Sequence, residues 1–268
     1  MNAIDVWAQQ PNRFFLSQPY FDSLRRWTGQ ALDDIPVEAL LHTMEAANVS
    51  KALIAAWYGP QGTLISNEEV REIVSQHPDK FAGLASADLR NPVEAVRTLR
   101  KYVTEHGFKG LRLVQWLWEL PCTDALYYPL LTECVELGVP VCLQVGHTGP
   151  LRSSETGRPS HIERIALDFP DLKIVCGHIG YPWHVEMIAL ATKFPNVYID
   201  TSAYVPRRYP VELVSYMKGH GRNKVMFGTN YPMITAETCM SQLDLLDLSE
   251  EVKELFLFKN AEVVFDLA

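Results

Sequence analysis

Eight short apolar runs, each followed by a segment of different period, constrain this chain more than any other feature. They begin near Ala3, Ala52, Phe81, Gly110, Val139, Lys173, Val197 and Lys224. Between them lie stretches in which apolar residues recur at helical spacing, such as Val37 to Asn48, Asn67 to His77, Pro92 to His106 and Tyr127 to Leu137. Gly107 and Gly138 fall just past two of these stretches, where a left-handed residue ends a helix. Pro140, Pro170 and Pro195 stand just before strand runs, where they stop the preceding helix. Runs that are apolar on both faces and alternate with helices predict a parallel sheet covered by helices. Eight units favour a closed (β/α)8 TIM barrel, read here as one domain over residues 1–268, above an open doubly wound sheet. The open alternative lacks motif support, since neither Gly-x-Gly-x-x-Gly after the first run nor Gly-Lys-Ser/Thr is present.

Composition narrows the partners. A net charge of −8 and no basic cluster argue against a nucleic-acid surface and against binding to an anionic membrane. No apolar stretch approaches the ~20 residues that span a bilayer, and the N-terminus has no basic region leading into an apolar run. Five scattered cysteines without a Cys-x-x-Cys pair fit a reduced, cytoplasmic setting. A small-molecule substrate is the expected partner. The first connection, roughly Gln9 to Ile35, carries Phe14, Phe15, Tyr20, Phe21 and Trp27. It is long and aromatic for a connector, and it reads either as a lid or pocket wall, or as an extra packed turn.

His147 and His178 lie 31 residues apart, at the ends of the fifth and sixth runs, each entering a Gly-containing turn. Parallel α/β barrels place their chemistry at such strand ends, because the core fixes the strand and the loop is free to vary. The two imidazoles are therefore expected to share one mouth.

These runs resemble the amidohydrolase superfamily, in particular its "amidohydrolase 2" group, which includes aminocarboxymuconate-semialdehyde decarboxylase. Ile4-Asp-Val-Trp-Ala-Gln is similar to the family's first-strand Ile-Asp-x-His-x-His. Lys109-Gly-Leu-Arg-Leu is similar to its fourth strand, and the runs ending in His147 and His178 are similar to its fifth and sixth. Val197-Tyr-Ile-Asp-Thr-Ser resembles the seventh, and Val225-Met-Phe-Gly-Thr-Asn-Tyr-Pro the eighth. The resemblance implies a TIM-barrel hydrolase or decarboxylase acting on a small carboxylated or cyclic carbonyl compound, and it suggests a homodimer.

The departures concern the family's metal. Trp7 and Gln9 stand where the resemblance places two histidine ligands, and Asn230 where it places a carboxylate. An indole has no lone pair for a metal, and neutral amide oxygens suit hard cations without supplying charge. Neither a metal nor another cofactor is therefore expected. The alternative is a divalent ion such as zinc, recruited by Asp200, Glu119 or another acid. In the first case His178 and His147 carry acid–base catalysis. Arg112 captures a substrate carboxylate, or instead pairs with an internal acid such as Asp5. Gln9 and Asn230 orient a carbonyl or water, and Trp7 forms an apolar wall. Ser202, one strand after His178, is either a nucleophile paired with it or a helix cap. His184 and the Arg152–Arg158 stretch are read as surface features. A catalytically inactive barrel that only binds its ligand is the rival to an enzyme, because losing a metal forfeits Lewis-acid activation.

Overall fold

The computed structural model describes residues 2–29 and 33–267. Its eight barrel strands are β1 (Ala3–Ala8), β2 (Val49–Ala55), β3 (Phe81–Leu84), β4 (Leu111–Leu113), β5 (Val141–Gln144), β6 (Ile174–Gly177), β7 (Val197–Asp200) and β8 (Val225–Met226). Neighbours pair in parallel within β1-β2-β3 and within β8-β7-β6-β5-β4. Two seams close the ring. At one, Ala85 N donates to Gly110 O at 2.9 Å and Arg112 N to Ala85 O at 2.8 Å. At the other, Val6 N donates to Phe227 O at 3.0 Å, and Ala8 bridges to Tyr231. The sheet is therefore a (β/α)8 barrel, as predicted, and not the open alternative.

The helices follow the predicted spacing because their ends are chemically marked. Ser66 and Glu69 form a reciprocal capping box at the start of Asn67–Gln76. Gly107 and Gly138, both at φ +69°, end Pro92–His106 and Tyr128–Leu137. The first predicted helix is shorter than its apolar pattern. It runs Val37–Ala46, and Asn48 turns left-handed (φ +55°) ahead of β2. An antiparallel hairpin, Trp57–Gly59 with Gly62–Ile65, follows β2 and was not anticipated from the sequence. It swings Trp57 toward the strand ends.

The long first connection forms short helical turns, Arg13–Leu16, Pro19–Phe21 and Asp22–Thr28, over the C-terminal mouth of the barrel. Residues 30–32 of that connection lie outside the described residues. All five cysteines are free and buried. Burial pushes the Cys142 thiol up to about 12, so it is uncharged at neutral pH.

Candidate active site

A cavity of about 370 Å³ opens at the C-terminal ends of the strands. Trp7, Gln9, His147, His178 and Asn230 all line it, so five of the six residues singled out in the sequence converge on one cup. Its remaining wall is mainly aromatic and aliphatic, from Phe15, Phe21, Trp57, Trp116 and Tyr204 among others. The aromatic first connection thus supplies pocket wall through Phe15, Phe21 and Trp27, while Phe14 points outward at 58% exposure. Trp57 and Trp116 were missed in the sequence. Both follow the end of a barrel strand, so the rule that found the histidines would have found them too.

The floor is fixed by close packing. Gly177 ends β6, and a Cβ there would lie 2.6 Å from the Trp7 ring, so only glycine leaves room for the indole. The Trp7 and His178 rings then meet edge to face, with centroids 4.9 Å apart. Asn230 sits left-handed at φ +64° and donates its backbone N–H to Trp7 O at 2.7 Å. Its side-chain oxygen accepts from Gln9 Nε2 at 3.1 Å, and Gln9 Nε2 also donates to Tyr231 O. Gln9 Oε1 is buried without a protein partner, as is the indole N–H of Trp7. Neutral hydrogen-bonding capacity is therefore left over at the floor.

Arg112 lies elsewhere. It is fully buried under the floor, donates Nη1 to Ala8 O and Nη2 to Val6 O, each at 3.0 Å, and stacks 3.9 Å from the Trp7 ring centre. The substrate-capturing role predicted for it is corrected by this placement: the guanidinium holds β1 and the indole from behind and does not line the cup. Nor does it make a direct ion pair with Asp5. That carboxylate accepts from Trp7 N, Thr229 N and Thr229 Oγ1. Burial lowers Arg112 to about 10, which leaves it cationic at neutral pH.

The two histidines differ in setting. His178 is half-buried, with Nδ1 2.6 Å from Ser202 Oγ. Burial, and then the Arg112 guanidinium, push it down to about 3, so the imidazole is neutral at physiological pH. His147 is exposed at the rim, with Nδ1 3.4 Å from Ser154 Oγ. Its loop turns at Gly146 (φ +102°), where a Cβ would strike Tyr181 O at 2.6 Å. His184 faces Glu212 at 3.5 Å, and Arg152 faces Glu119 at 3.8 Å; neither residue lines the cup.

This fold and cup can be set against known proteins. The amidohydrolase family model matches residues 7–267. The chain belongs to the amidohydrolase family. A curated relative, the 2-amino-3-carboxymuconate-6-semialdehyde decarboxylase of Dictyostelium discoideum, is 23% identical over 266 residues, covering 85% of this amidohydrolase and 72% of the relative. Among solved structures, an uncharacterised TIM-barrel protein from Bordetella bronchiseptica superposes with TM-score 0.87 at 24% identity, covering 99% of both chains. A dihydroxybenzoic acid decarboxylase from Polaromonas sp. JS666, crystallised with manganese and the inhibitor 2-nitroresorcinol, superposes with TM-score 0.76 at 18% identity, covering 99% and 96%.

That manganese corrects the expectation of no cofactor, since a solved structure of the same fold carries a metal. The donors of this amidohydrolase nevertheless fit such an ion poorly. Among the described residues, no three His, Cys, Asp or Glu side chains gather in a metal-holding group. Trp7 offers no lone pair, and the Asn230 oxygen already accepts from Gln9. Asp200 is held below the floor by Ser202, and Glu119 is turned out to Arg152, so neither acid completes a site.

Proposed function

We propose that this amidohydrolase is an enzyme acting on a small planar carbonyl compound, and in the first place a decarboxylase of an unsaturated or aromatic carboxylic acid. The observation that carries this is the cup itself: a neutral imidazole at the base of an aromatic-walled cavity sized for one ring. The decarboxylases among its relatives support the reaction type. A flat ring slots between Phe21, Trp57 and Trp116, where stacking and edge contacts hold it without charge. The bond from ring carbon to carboxyl breaks, carbon dioxide leaves, and the electron pair stays on the ring carbon until a proton replaces it. His178 handles that proton at Nε2, and His147 at the rim exchanges protons with water. Gln9 Oε1 accepts from a substrate hydroxyl.

A second reading, hydrolysis of an uncharged cyclic ester, is favoured by one specific observation. The guanidinium groups around the cup are already engaged. Arg25 donates to Leu16 O and Gln18 O and pairs with Asp22, Arg112 is under the floor, and Arg152 lies over Tyr20. Among the described residues that line the cup, an entering carboxylate meets no free cation, whereas a lactone needs none. In that case water adds to the carbonyl carbon as His178 takes its proton, the ring C–O bond breaks, and the imidazolium returns that proton to the departing oxygen.

Parallel assays of carbon dioxide release from hydroxylated benzoates and of ring opening of aromatic lactones separate the two reactions. His178→Ala is expected to lower kcat on the order of 100-fold or more, the usual range for a positioned acid–base group. Turnover indifferent to that change would overturn the assignment.

A further inference from the structure

We infer that Ser202 and Asp200 form a hydrogen-bond relay that dictates which ring nitrogen of His178 carries its proton, leaving the Nε2 lone pair facing the cup. Ser202 Oγ lies between two partners, His178 Nδ1 at 2.6 Å and Asp200 Oδ1. The same carboxylate oxygen accepts Ser202 N–H at 2.8 Å. A hydroxyl has one proton to give, and an ionised carboxylate can only accept. The Ser202 proton therefore points to Asp200, and a lone pair of Oγ is what remains for the ring. Nδ1 must be the donor. In a neutral imidazole with Nδ1–H, Nε2 has no proton and acts as an acceptor.

Ser202 and Asp200 are both completely buried, so water does not compete for these bonds. The order of donors is set by the chain alone. It also decides the role left open for Ser202. The oxygen is spent in both directions, as acceptor from His178 and donor to Asp200, and it does not line the cup. Ser202 is a positioning residue and not a nucleophile.

The relay gives the reaction a direction. The resting imidazole can only withdraw a proton from whatever meets Nε2, so the first step is removal of a proton from a substrate O–H or from water. Donation follows from the imidazolium so formed, whose Nδ1–H still rests on a chain ending in a carboxylate. This inference uses the proposed function only in taking His178 as the proton-handling group. The tautomer is a property of the free protein.

The test therefore needs no substrate. In protein labelled with ¹⁵N-histidine at neutral pH, with His178→Gln used for assignment, His178 is expected to show a protonated Nδ1 and an unprotonated Nε2. A protonated Nε2 in the wild-type protein overturns the relay. Ser202→Ala removes the acceptor, and the ring is expected to move toward the Nε2–H form that free histidine prefers. On a substrate found by the assays above, kcat is expected to fall about 10-fold or more with KM little changed, since the base starts in the wrong tautomer. Ser202→Thr, which keeps the hydroxyl, is expected to restore both the nitrogen signature and kcat. An unchanged His178 signature in Ser202→Ala also overturns the relay, whereas an intact signature in a protein that turns over none of the compounds counts against the proposed reaction alone.

Discussion

Floor and lid of the same cup are held in contrasting ways. At the floor, Asp5, Arg112, Asp200 and Thr229 are each at most 2% exposed, and each is hydrogen-bonded within the protein: Asp5 to Thr229, Arg112 to β1 carbonyls, and Asp200 to Ser202. At the lid, residues 13–28 present Phe14 and Trp27 to solvent at 58% and 64% exposure. They are tied to the β5 loop through Ser23 Oγ to Gly149 O and Leu151 N to Tyr20 O. Leaving a buried polar group without its bond is costly, so substitutions that break these bonds at the floor are poorly tolerated. Beyond these few bonds the lid packs by apolar contact, which is less demanding in direction and easier to vary. On the proposed function, chemistry belongs to the closely bonded floor and ligand selection to the more adaptable lid.

Breaking the floor should produce the largest effect. Arg112→Leu removes two charge-assisted hydrogen bonds and leaves Val6 O and Ala8 O without them, at a cost of about 3 kcal/mol. A clearly lowered Tm in scanning calorimetry is the expected result, and an unchanged Tm would show that the guanidinium does not hold the floor.

A milder probe uses pH. Burial raises Asp5 and Asp200 to about 6, so between their ordinary value of 3.8 and pH 6 the native chain holds protons that the unfolded chain has released. These two groups make stability fall as pH rises through that window. His178 works in the opposite sense. Below 6.5 the unfolded imidazole takes up a proton that the native one refuses down to about 3, so stability falls as pH drops. Asp200→Asn removes one of the opposing carboxylates. Its Tm should climb with pH from 4 to 6 more steeply than that of the parent, and parallel curves would contradict the burial argument.

The smallest effect belongs to the lid. Trp27→Ala is expected to leave Tm nearly unchanged and to raise KM roughly 2- to 10-fold, the value of one exposed aromatic contact. A large drop in Tm would mean that the lid is as structural as the floor.

Much of the barrel was legible because it depends on local period and punctuation. The eight apolar runs became the eight strands, and Gly107 and Gly138 ended helices where expected. His147 and His178 were legible from their place at strand ends. Other features depend on distant contacts. Arg112 alternates with Leu111 and Leu113, which points it to the barrel interior or its mouth, yet no sequence pattern says that its guanidinium turns down toward Val6 O and Ala8 O, away from the mouth. The Trp57 hairpin escaped notice because seven residues of mixed polarity carry too little period. Ser202 was visible only as a residue one strand after His178. That its hydroxyl stands between the ring and Asp200 follows from the register of β6 and β7.

The pairing of Gln9 with Asn230 joins residues 221 positions apart. One comes off the first barrel strand and the other follows the last, so the floor of the cup is complete only after nearly the whole polypeptide has been laid down and the ring has shut. Contacts of such high sequence separation form late and slowly. On the proposed function, ligand recognition is accordingly a readout of completed folding: a nascent or clipped chain lacking the final strand would possess both imidazoles and still have no receptacle to hold them over.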